Sequence, residues 1–323
     1  LEFNEVNKDV LRNQSLYIGK LKNEKMKKQS FVILQIYFIN IANMTSNDLE
    51  KKLVYICQNE SDDDEDAIIR DLDALWEKSG HTLNVCTDDD NAFRWACFNL
   101  RFHVIDWLFE KAEILGKKIN IHANNEEVFI NICENENCDI THLDWLFNKA
   151  KELGTMININ QNEELGFRKL CLHGSLETVK WLYENAIECG RPIDIHAKDE
   201  GAFRRSCGNG KIEIVEWLYN QSLIEGTPID INVKNSSAFR WACHGCNIET
   251  ATWLLDKANE LNIEIDFNAK NDRAFYWACY PVFSYKPHQI KFIKWMLNKS
   301  IELNKRIAID DDLFVEICNM YDD

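Results

Sequence analysis

Cysteine is the residue type of this chain that first suggests chemistry, because twelve cysteines occur in 323 residues. Thiols in such numbers form disulfides in secreted proteins or hold zinc through Cys-x-x-Cys pairs. One pair, Cys243 and Cys246, has the spacing of half a zinc site. Neither a second such pair nor a histidine pair completes it, so the sequence predicts no metal centre.

Eight of the cysteines follow one rule, since each lies four residues after an apolar anchor. From Phe93 onward the anchors recur at intervals of 36, 38, 36, 36, 36 and 39 residues. The anchors are Leu53, Phe93, Phe129, Phe167, Phe203, Phe239, Phe275 and Phe314, and the cysteines are Cys57, Cys97, Cys133, Cys171, Cys207, Cys243, Cys279 and Cys318. Residues at i and i+4 share a helix face, and cysteine packs as a small hydrophobic residue. These cysteines are therefore predicted to lie in the core.

The repeat also argues against disulfides between these cysteines. Equivalent helices of adjacent repeats pack ~8–10 Å apart, whereas a disulfide needs Cα atoms within ~7 Å. Many unpaired thiols in turn are typical of a reducing compartment, which predicts a cytoplasmic protein.

Other catalytic or ligand-binding patterns are absent from the sequence. None of the eight histidines pairs with a nucleophile at a recognisable spacing, and there is no glycine-rich phosphate loop. His122 and His196 occupy the same turn position, which favours a structural role. The acidic runs lack calcium-loop spacing. We expect no enzyme, no cofactor and no metal. The net charge of −16 argues against nucleic acid as a partner and favours a protein with a basic patch.

Two further landmarks define the elements of each repeat. A tryptophan (Trp217, for example) lies nine residues before a glycine or asparagine, the residues that best tolerate the positive φ of a helix C′ position. Three residues later comes an apolar–x–apolar triplet such as Ile229 to Ile231. Each unit is therefore predicted to contain a short helix, a longer helix, a brief alternating stretch and a polar turn. Neither helix can bury its apolar stripe alone, so neighbouring units must stack.

This order of elements resembles the ankyrin repeat. Residues Gly210 to Leu218 are similar to the family's Gly-His-x-Glu-Val-Val-x-x-Leu segment. The resemblance implies an all-α solenoid of helix–helix–β-turn units over residues 44–323, with about seven units and a C-terminal half unit. The Ala-Phe-Arg-Trp-Ala-Cys and Ile-Asp-Ile-His-Ala strings resemble ankyrin proteins of mimivirus-like giant viruses, which implies the cytoplasm of a host cell.

The sequence departs from the family at the anchor. No repeat has Thr-Pro before it, and arginine replaces the family's histidine in Arg94, Arg168, Arg204 and Arg240. The Thr–His bonding that joins standard repeats is therefore not expected here. The second helix is also predicted to be about one turn longer than in a standard unit.

In the ankyrin architecture, the position two residues after the anchor faces the concave groove. Here it holds Trp95, Asn131, Lys169, Arg205, Trp241 and Trp277. Tryptophan and arginine are enriched at binding hot spots. We predict that Trp95, Lys169, Arg205, Trp241 and Trp277 bind a protein, with the preceding arginines Arg94, Arg168, Arg204 and Arg240 on the same face. The alternative is that these side chains only pack against the next unit. Turn tips that vary between copies would add contacts.

Residues 1–43 form a segment of different character. The apolar run Phe31 to Ala42 is too short to span a bilayer but has the proportions of a signal peptide. Met44 is an alternative start, because Thr45 to Asp48 resembles a capping box that opens a helix. Residues 1–43 would then be an upstream leader or a cap.

The sequence as a whole favours a non-catalytic adaptor, a monomer that grips one protein through its groove and turn tips, without membrane or nucleic-acid partners. The alternative is a structural role, as a self-associating virion or assembly component. An enzyme would require a domain that the sequence does not show.

Overall fold

The computed structural model describes residues 44–59, 65–267, 269–279, 287–305 and 307. Residues 1–43, for which a leader or cap is predicted, lie outside the described residues, as do Phe314 and Cys318. The described part of the chain contains helices and no strand, which confirms the all-α class. None of the described helices is both long and apolar enough to cross a bilayer.

The helices follow one another in pairs, with a first and a second helix in each repeat. The first helices are α1 (Ser46–Asn59), α3 (Thr87–Phe98), α5 (Ala123–Glu134), α7 (Gln161–His173), α9 (Ala197–Gly208), α11 (Val233–His244) and α13 (Ala269–Cys279). The second helices are α2 (Glu65–Lys78), α4 (Phe102–Ile114), α6 (Ile140–Glu152), α8 (Leu176–Glu188), α10 (Ile212–Ile224), α12 (Ile248–Glu260) and α14 (Pro287–Glu302).

The anchors and their cysteines form the inside of the stack. The anchors from Phe93 to Phe239 are completely buried. The seven repeat cysteines of the described residues are at most 1% exposed, so their prediction as core residues is confirmed. They belong to one continuous apolar core that runs through all the repeats. Each unit therefore completes its core with side chains of its neighbours.

Successive first helices pack closely on one another, whereas successive second helices meet mainly through aromatic side chains. Phe147 of α6 contacts Trp181 of α8 edge-on at 5.7 Å, and Tyr183 of α8 contacts Trp217 of α10 at 5.3 Å. These edge-to-face contacts are the favoured geometry for aromatic pairs. Trp181 and Trp217 thus pack between repeats.

Asparagine side chains bond the first helices of adjacent repeats at their C-terminal ends. Asn135 donates to the carbonyl of Phe98 at 2.7 Å, and Asn209 donates to that of Leu172 at 2.7 Å. The last carbonyls of a helix lack partners within it. These asparagines therefore cap the first helix of the repeat before them.

The second helices end as the sequence predicts. Gly116, Gly154, Gly190 and Gly226 have φ between +64° and +76°, and Asn262 has φ +54°. The amide that follows each of them bonds back to the last helical turn, as that of Thr227 does to the Ser222 carbonyl at 3.0 Å. This is the bonding that a left-handed C′ residue permits.

The apolar–x–apolar triplets lie between repeats as extended chain. Ile229 and Ile231 are 3% and 0% exposed, and Asp230 between them is exposed. The predicted alternation of burial is therefore present, without strand pairing in the described residues. What the structure establishes is an all-helical stack of repeated helix pairs.

Candidate binding surface on the first helices

The residues two after each anchor lie on one side of the first helices. Trp241 is the most open of those predicted as binding residues, with 41% of its surface exposed. Trp95, Lys169, Arg205 and Trp277 are half-buried. We call this set of positions the inner row. It brings all five residues to the same side of the stack.

Tyr55 of α1 is an inner-row residue that the sequence reasoning passed over. It lies two residues after the weak anchor Leu53 and is 54% exposed. The repeat spacing alone was sufficient to find it. The inner row therefore begins with an exposed aromatic ring.

Trp241 and Trp277 form an aromatic cluster with His244. The two indole rings are 5.7 Å apart with their planes at 49°, and His244 lies 5.6 Å from Trp241 and 5.5 Å from Trp277. His244 is itself exposed. The three rings therefore pack against one another at the distances usual for aromatic pairs.

Gly208 lies beneath this cluster, in contact with Trp241. A Cβ atom on Gly208 would lie 3.3 Å from the Trp241 Cβ and 3.5 Å from its ring. A larger side chain at this position would push the indole outward. The missing side chain of Gly208 thus positions Trp241 against α9.

Arg205 lies one helical turn before Gly208, on the same face of α9. Its guanidinium forms no side-chain hydrogen bond or ion pair with any residue that the structure describes. Burial and the nearby charges of Arg205 and Arg204 lower the pKa of Arg168, partly opposed by Glu163 and Glu164. Arg205 of the inner row and the neighbouring Arg168 and Arg204 therefore form a group of mutually repelling guanidinium ions.

The other charged positions near the inner row are neutralised within the chain. Lys169 forms an ion pair with Glu134 of the preceding first helix. Arg94 forms one with Glu127 of the following first helix. Burial raises the pKa of Glu127, but hydrogen bonds from Asn124 and Arg94 outweigh it, and the pKa is lowered overall. Arg205 thus differs from Lys169 in having no counterion among the described residues.

The arginines that directly follow the anchors stabilise an unusual turn. Each of five first helices opens with three consecutive left-handed residues, at φ between +51° and +63°: Asp88 to Asp90, Asn124 to Glu126, Asn162 to Glu164, Lys198 to Glu200 and Lys234 to Ser236. Such residues cost about 1–2 kcal/mol each without a compensating contact. Arg204 donates to the carbonyls of Asp199 and Lys198 at 2.7 and 2.8 Å.

Arg168 makes both equivalent bonds, Arg240 donates to the carbonyl of Lys234 at 3.0 Å, and the two side chains are only 7% and 4% exposed. Arg94 reaches the carbonyl of Asp88 at 3.3 Å. The structure therefore gives all four arginines a bond to the backbone of their own repeat. A contact of any of them with another protein stays a prediction, and Arg94 and Arg204 are the two that are only half-buried.

The last residue of four of the five left-handed turns accepts a hydrogen bond from a backbone amide of the next repeat. Glu200 accepts from the His196 ring at 2.9 Å and from the backbone amide of Asp230 at 3.3 Å, while His196 also contacts the Thr227 hydroxyl at 3.0 Å. His122, Glu126, Thr155 and Asn158 repeat this geometry two units earlier. A histidine does take part in bonding between repeats, from the turn rather than from the anchor, and the predicted structural role of His122 and His196 is confirmed.

The order threonine, histidine, glutamate within hydrogen-bond distance is also the order of a hydrolase triad. Here the Thr155 hydroxyl lies 3.1 Å from the carbonyl of Ala150, at the end of α6, as well as 2.9 Å from His122. Glu126 is 7% exposed and bonds the Asn158 amide. The hydrogen-bonding groups of this network are therefore bonded to a helix end and to extended chain.

Cys243, the first residue of the half zinc site, is completely buried, and Cys246 is half-buried. Burial raises the pKa of both thiols, which disfavours the thiolate that binds zinc. The described residues contain no group of three or more His, Cys, Asp or Glu placed to hold a metal ion.

Comparison with known proteins returned no relative: no family model, no curated protein and no solved structure matches this chain.

Proposed function

We propose that the chain is a non-catalytic adaptor that binds another protein along the inner row. The observation that carries this proposal is the cluster of Trp241, Trp277 and His244, three rings within 6 Å of one another on the open side of the first helices. Tryptophan and arginine supply the largest share of binding energy at many interfaces.

The packing of the stack supports the same surface. The first helices approach one another more closely than the second helices do, so a long stack bends toward the side of the first helices. Such a bend gives an extended hollow surface of the kind that repeat proteins use for binding. The turn tips border this surface, and exposed ion pairs such as Lys198 with Glu163 link neighbouring tips.

The resemblance to ankyrin repeats agrees with this role, because that family binds proteins through the same helix face. The resemblance to giant-virus ankyrin proteins extends the proposal to a partner in the cytoplasm of a host cell. Both extensions rest on the repeat motifs of the sequence.

Self-association is a second candidate, and a different surface favours it. Aliphatic side chains are exposed near the ends of the second helices in most repeats: Ile114, Leu153, Ile187, Leu223, Ile224, Leu261, Ile301 and Leu303 are between 41% and 79% exposed. We call these residues the aliphatic ridge. Exposed apolar residues that line up in this way are typical of contact surfaces.

Two paired variants separate the candidates. Trp241→Ala with Trp277→Ala alters the inner row, and Ile224→Asp with Ile301→Asp alters the ridge. A partner is first identified by capture and then purified, and its affinity is measured by titration calorimetry. Adaptor function predicts that the tryptophan pair weakens binding at least about ten-fold, since each lost hot spot costs on the order of 2 kcal/mol.

The same variants are examined by light scattering for their mass in solution. Self-association predicts a mass in solution that is a multiple of 37.9 kDa. This mass should fall to that of the monomer only in the ridge variant. Binding that survives the tryptophan substitutions, in a protein whose circular dichroism is unchanged, would contradict the proposed role of the inner row.

A further inference from the structure

We propose that the surface between α6 and α8 binds a lysine side chain of a partner protein, with the ammonium group over the Phe147 ring and beside the Glu188 carboxylate. This site lies on the second helices, apart from the inner row, and does not depend on the proposed function. Two other pairs of second helices hold a lysine of the chain itself at the equivalent place.

The first of these filled sites lies between α4 and α6. The Lys149 ammonium is 4.6 Å from the centre of the Phe109 ring and 3.1 Å from the Glu152 carboxylate. Phe109 also contacts Trp145 at 6.4 Å, with the ring planes at 66°. A cation over an aromatic face is attracted by the negative charge of that face. The site therefore combines a ring of one repeat with a lysine and a glutamate of the next.

The second filled site lies between α10 and α12 and has the same composition. The Lys257 ammonium is 5.3 Å from the centre of the Tyr219 ring and 2.6 Å from Glu260. It also lies 5.7 Å from the Trp253 ring. The hydrogen bond to Glu260 raises the pKa of Lys257, partly opposed by burial. The arrangement therefore stabilises the charged ammonium group.

The tryptophans of the second helices define the three positions by their spacing. The ring lies two residues after the tryptophan of the earlier helix, and the lysine and the glutamate lie four and seven residues after that of the later helix. For α6 and α8, these positions hold Phe147, Asn185 and Glu188. The ring and the carboxylate are thus retained, whereas asparagine replaces the lysine.

The neighbouring pairs of second helices lack this combination. Between α8 and α10, Gln221 donates to the Tyr183 hydroxyl at 3.0 Å, and Ile224 stands at the glutamate position. Between α12 and α14, Leu255 stands at the ring position. Among the second helices that the structure describes, α6 and α8 alone therefore provide the ring and the glutamate without the lysine.

The geometry between α6 and α8 matches that of the filled sites. Phe147 contacts Trp181 at 5.7 Å with the ring planes at 90°, much as Tyr219 contacts Trp253 at 5.5 Å and 79°. Phe147 is half-buried, and no lysine or arginine of the described residues lies over its ring. Asn185 accepts a hydrogen bond from the Cys189 thiol of its own helix at 3.5 Å.

The charge around this place favours a cation from outside the chain. Glu184 and Glu188 are both exposed, and neither forms an ion pair with a described residue. The net charge of −16 also attracts a basic partner. Lysine is favoured over arginine because both filled sites hold an ammonium group. A partner's lysine would therefore supply the group that Lys149 and Lys257 supply in their own repeats.

The test is a titration of the full-length protein, labelled with ¹⁵N-tryptophan, with the peptide acetyl-Gly-Gly-Lys-Gly-Gly-amide. The same peptide with norleucine in place of lysine has an uncharged side chain of similar length. The indole signal of Trp181 reports on the site and is assigned from its loss in Trp181→Phe. The indole signal of Trp217, which packs on the next pair of helices, is the reference within the same molecule.

Three variants accompany the wild type. Asn185→Lys supplies an ammonium group from within the chain, and Glu188→Gln removes the carboxylate charge. Asn220→Lys is the matched control, because it makes the same substitution at an exposed residue of α10. All four proteins are compared by circular dichroism and thermal unfolding before the titration.

We expect the lysine peptide to shift the Trp181 signal saturably, to leave the Trp217 signal in place, and to lose this effect in Asn185→Lys. Glu188→Gln should weaken binding about three-fold, and Asn220→Lys should bind as wild type does. Equal shifts with the norleucine peptide, a shift without saturation, or a shift that persists in Asn185→Lys would each overturn the proposal.

Thermal unfolding gives a second, independent measurement. The midpoint of Asn185→Lys should equal or exceed that of Asn220→Lys, because α6 and α12 hold a lysine at the same position. A lower midpoint would show that this place does not accept an ammonium group and would also overturn the proposal. The variant with Trp241→Ala and Trp277→Ala should bind the lysine peptide as wild type does, so the inner row and this site are tested separately.

Discussion

Arg204 and Arg205 are adjacent in the chain and carry the same side chain, yet their surroundings give them different roles. Arg204 donates two hydrogen bonds to carbonyls of the left-handed turn that opens α9. Arg205 lies on the next face of the helix, 100° further round, and its side chain forms no hydrogen bond or ion pair with a described residue. A guanidinium that compensates unpaired carbonyls stabilises the fold, whereas the donors of one without a described partner contribute no such bond.

Glu200 is a residue whose loss should weaken the contact between two repeats. In Glu200→Ala, the His196 ring and the Asp230 amide lose a buried acceptor, and we expect the free energy of unfolding to fall by about 1–3 kcal/mol. Urea denaturation followed by circular dichroism measures the change. Glu200→Gln retains one acceptor oxygen and should recover part of the loss. Exposed Glu213→Ala is the control, and an equal effect there would contradict the prediction.

Cysteine reactivity should follow burial rather than the number of thiols. Burial raises the pKa of the Cys171, Cys207 and Cys243 thiols, whereas Cys189 is exposed at the end of α8. We expect iodoacetamide to modify Cys189 in the native protein and the three buried thiols only after addition of denaturant. Peptide mass spectrometry identifies the modified sites. Early modification of Cys207 would show that the core opens in native conditions.

At the scale of the elements, the helix ends carry much of the information in the sequence. Asp139 caps α6 by accepting from the amides of Thr141 and His142 at 2.8 and 3.2 Å. Gly226 and Asn262 end α10 and α12 in the left-handed region. Each feature depends on a property of one residue. At the N-terminal end this property is a side-chain oxygen that accepts from backbone amides, and at the C-terminal end it is tolerance of a positive φ.

Asp139 should make stability depend on pH in acid. Burial raises its pKa, but hydrogen bonds from Thr141 and His142 outweigh it and hold the pKa below the ordinary value of 3.8. Since the folded-state pKa is the lower one, the contribution to stability is complete above about pH 4 and is lost as the pH falls through the folded-state value. Asp139→Asn keeps a capping oxygen without the charge. Below pH 4, the urea midpoint of the Asp139→Asn variant should fall less with decreasing pH than the midpoint of wild type does. Parallel pH profiles of the two proteins would contradict this.

Gly226 and Asn262 provide reciprocal substitutions at one structural position. Gly226→Ala places a Cβ where φ is +76°, with no atom within 4 Å of it, so the expected loss of about 1 kcal/mol is purely conformational. Asn262→Gly removes a Cβ at φ +54° and should leave stability equal or slightly higher. Thermal unfolding compares the two. A larger loss for Asn262→Gly would show that its side chain, rather than its backbone, matters.

At the scale of the whole molecule, each repeat contacts the repeats next to it. Such a stack gains stability from the number of interfaces, and a complete unit can be removed while the remaining interfaces re-form. The units are similar enough for this, because His196 and Asn232 precede equivalent first helices 36 residues apart.

Deleting Ala197 to Asn232 removes α9 and α10 and joins His196 to Val233. We expect the shortened chain to keep its helical signal per residue and to unfold cooperatively at a lower temperature. Deleting only Ala197 to Gly210 removes α9 and leaves α10 with its apolar stripe uncovered, so this control should lose helix or aggregate. Circular dichroism and light scattering distinguish them. Equal behaviour of the two deletions would contradict nearest-neighbour stacking.

The sequence by itself determined the features that depend on residues near one another in the chain. Phe203 and Cys207 share a helix face because of their spacing, and Gly226 marks a helix end because of its backbone freedom. The all-helical class, the period, the core cysteines and the C′ residues could all be predicted on these grounds. The inner row was also found by spacing, since equivalent positions of a repeat face the same way.

Only the tertiary structure decided what those positions contact. The left-handed turns, the bonds of Arg168 and Arg240 to them and the link from Glu200 to Asp230 join groups that local periodicity does not relate. The contact of Trp241 with Trp277 and the lack of a described counterion for Arg205 depend on which side chain of the adjacent helix lies opposite. The physical reason is that hydrogen bonds and ion pairs act over about 3 Å, whereas a sequence pattern fixes the face of a helix but not its neighbour.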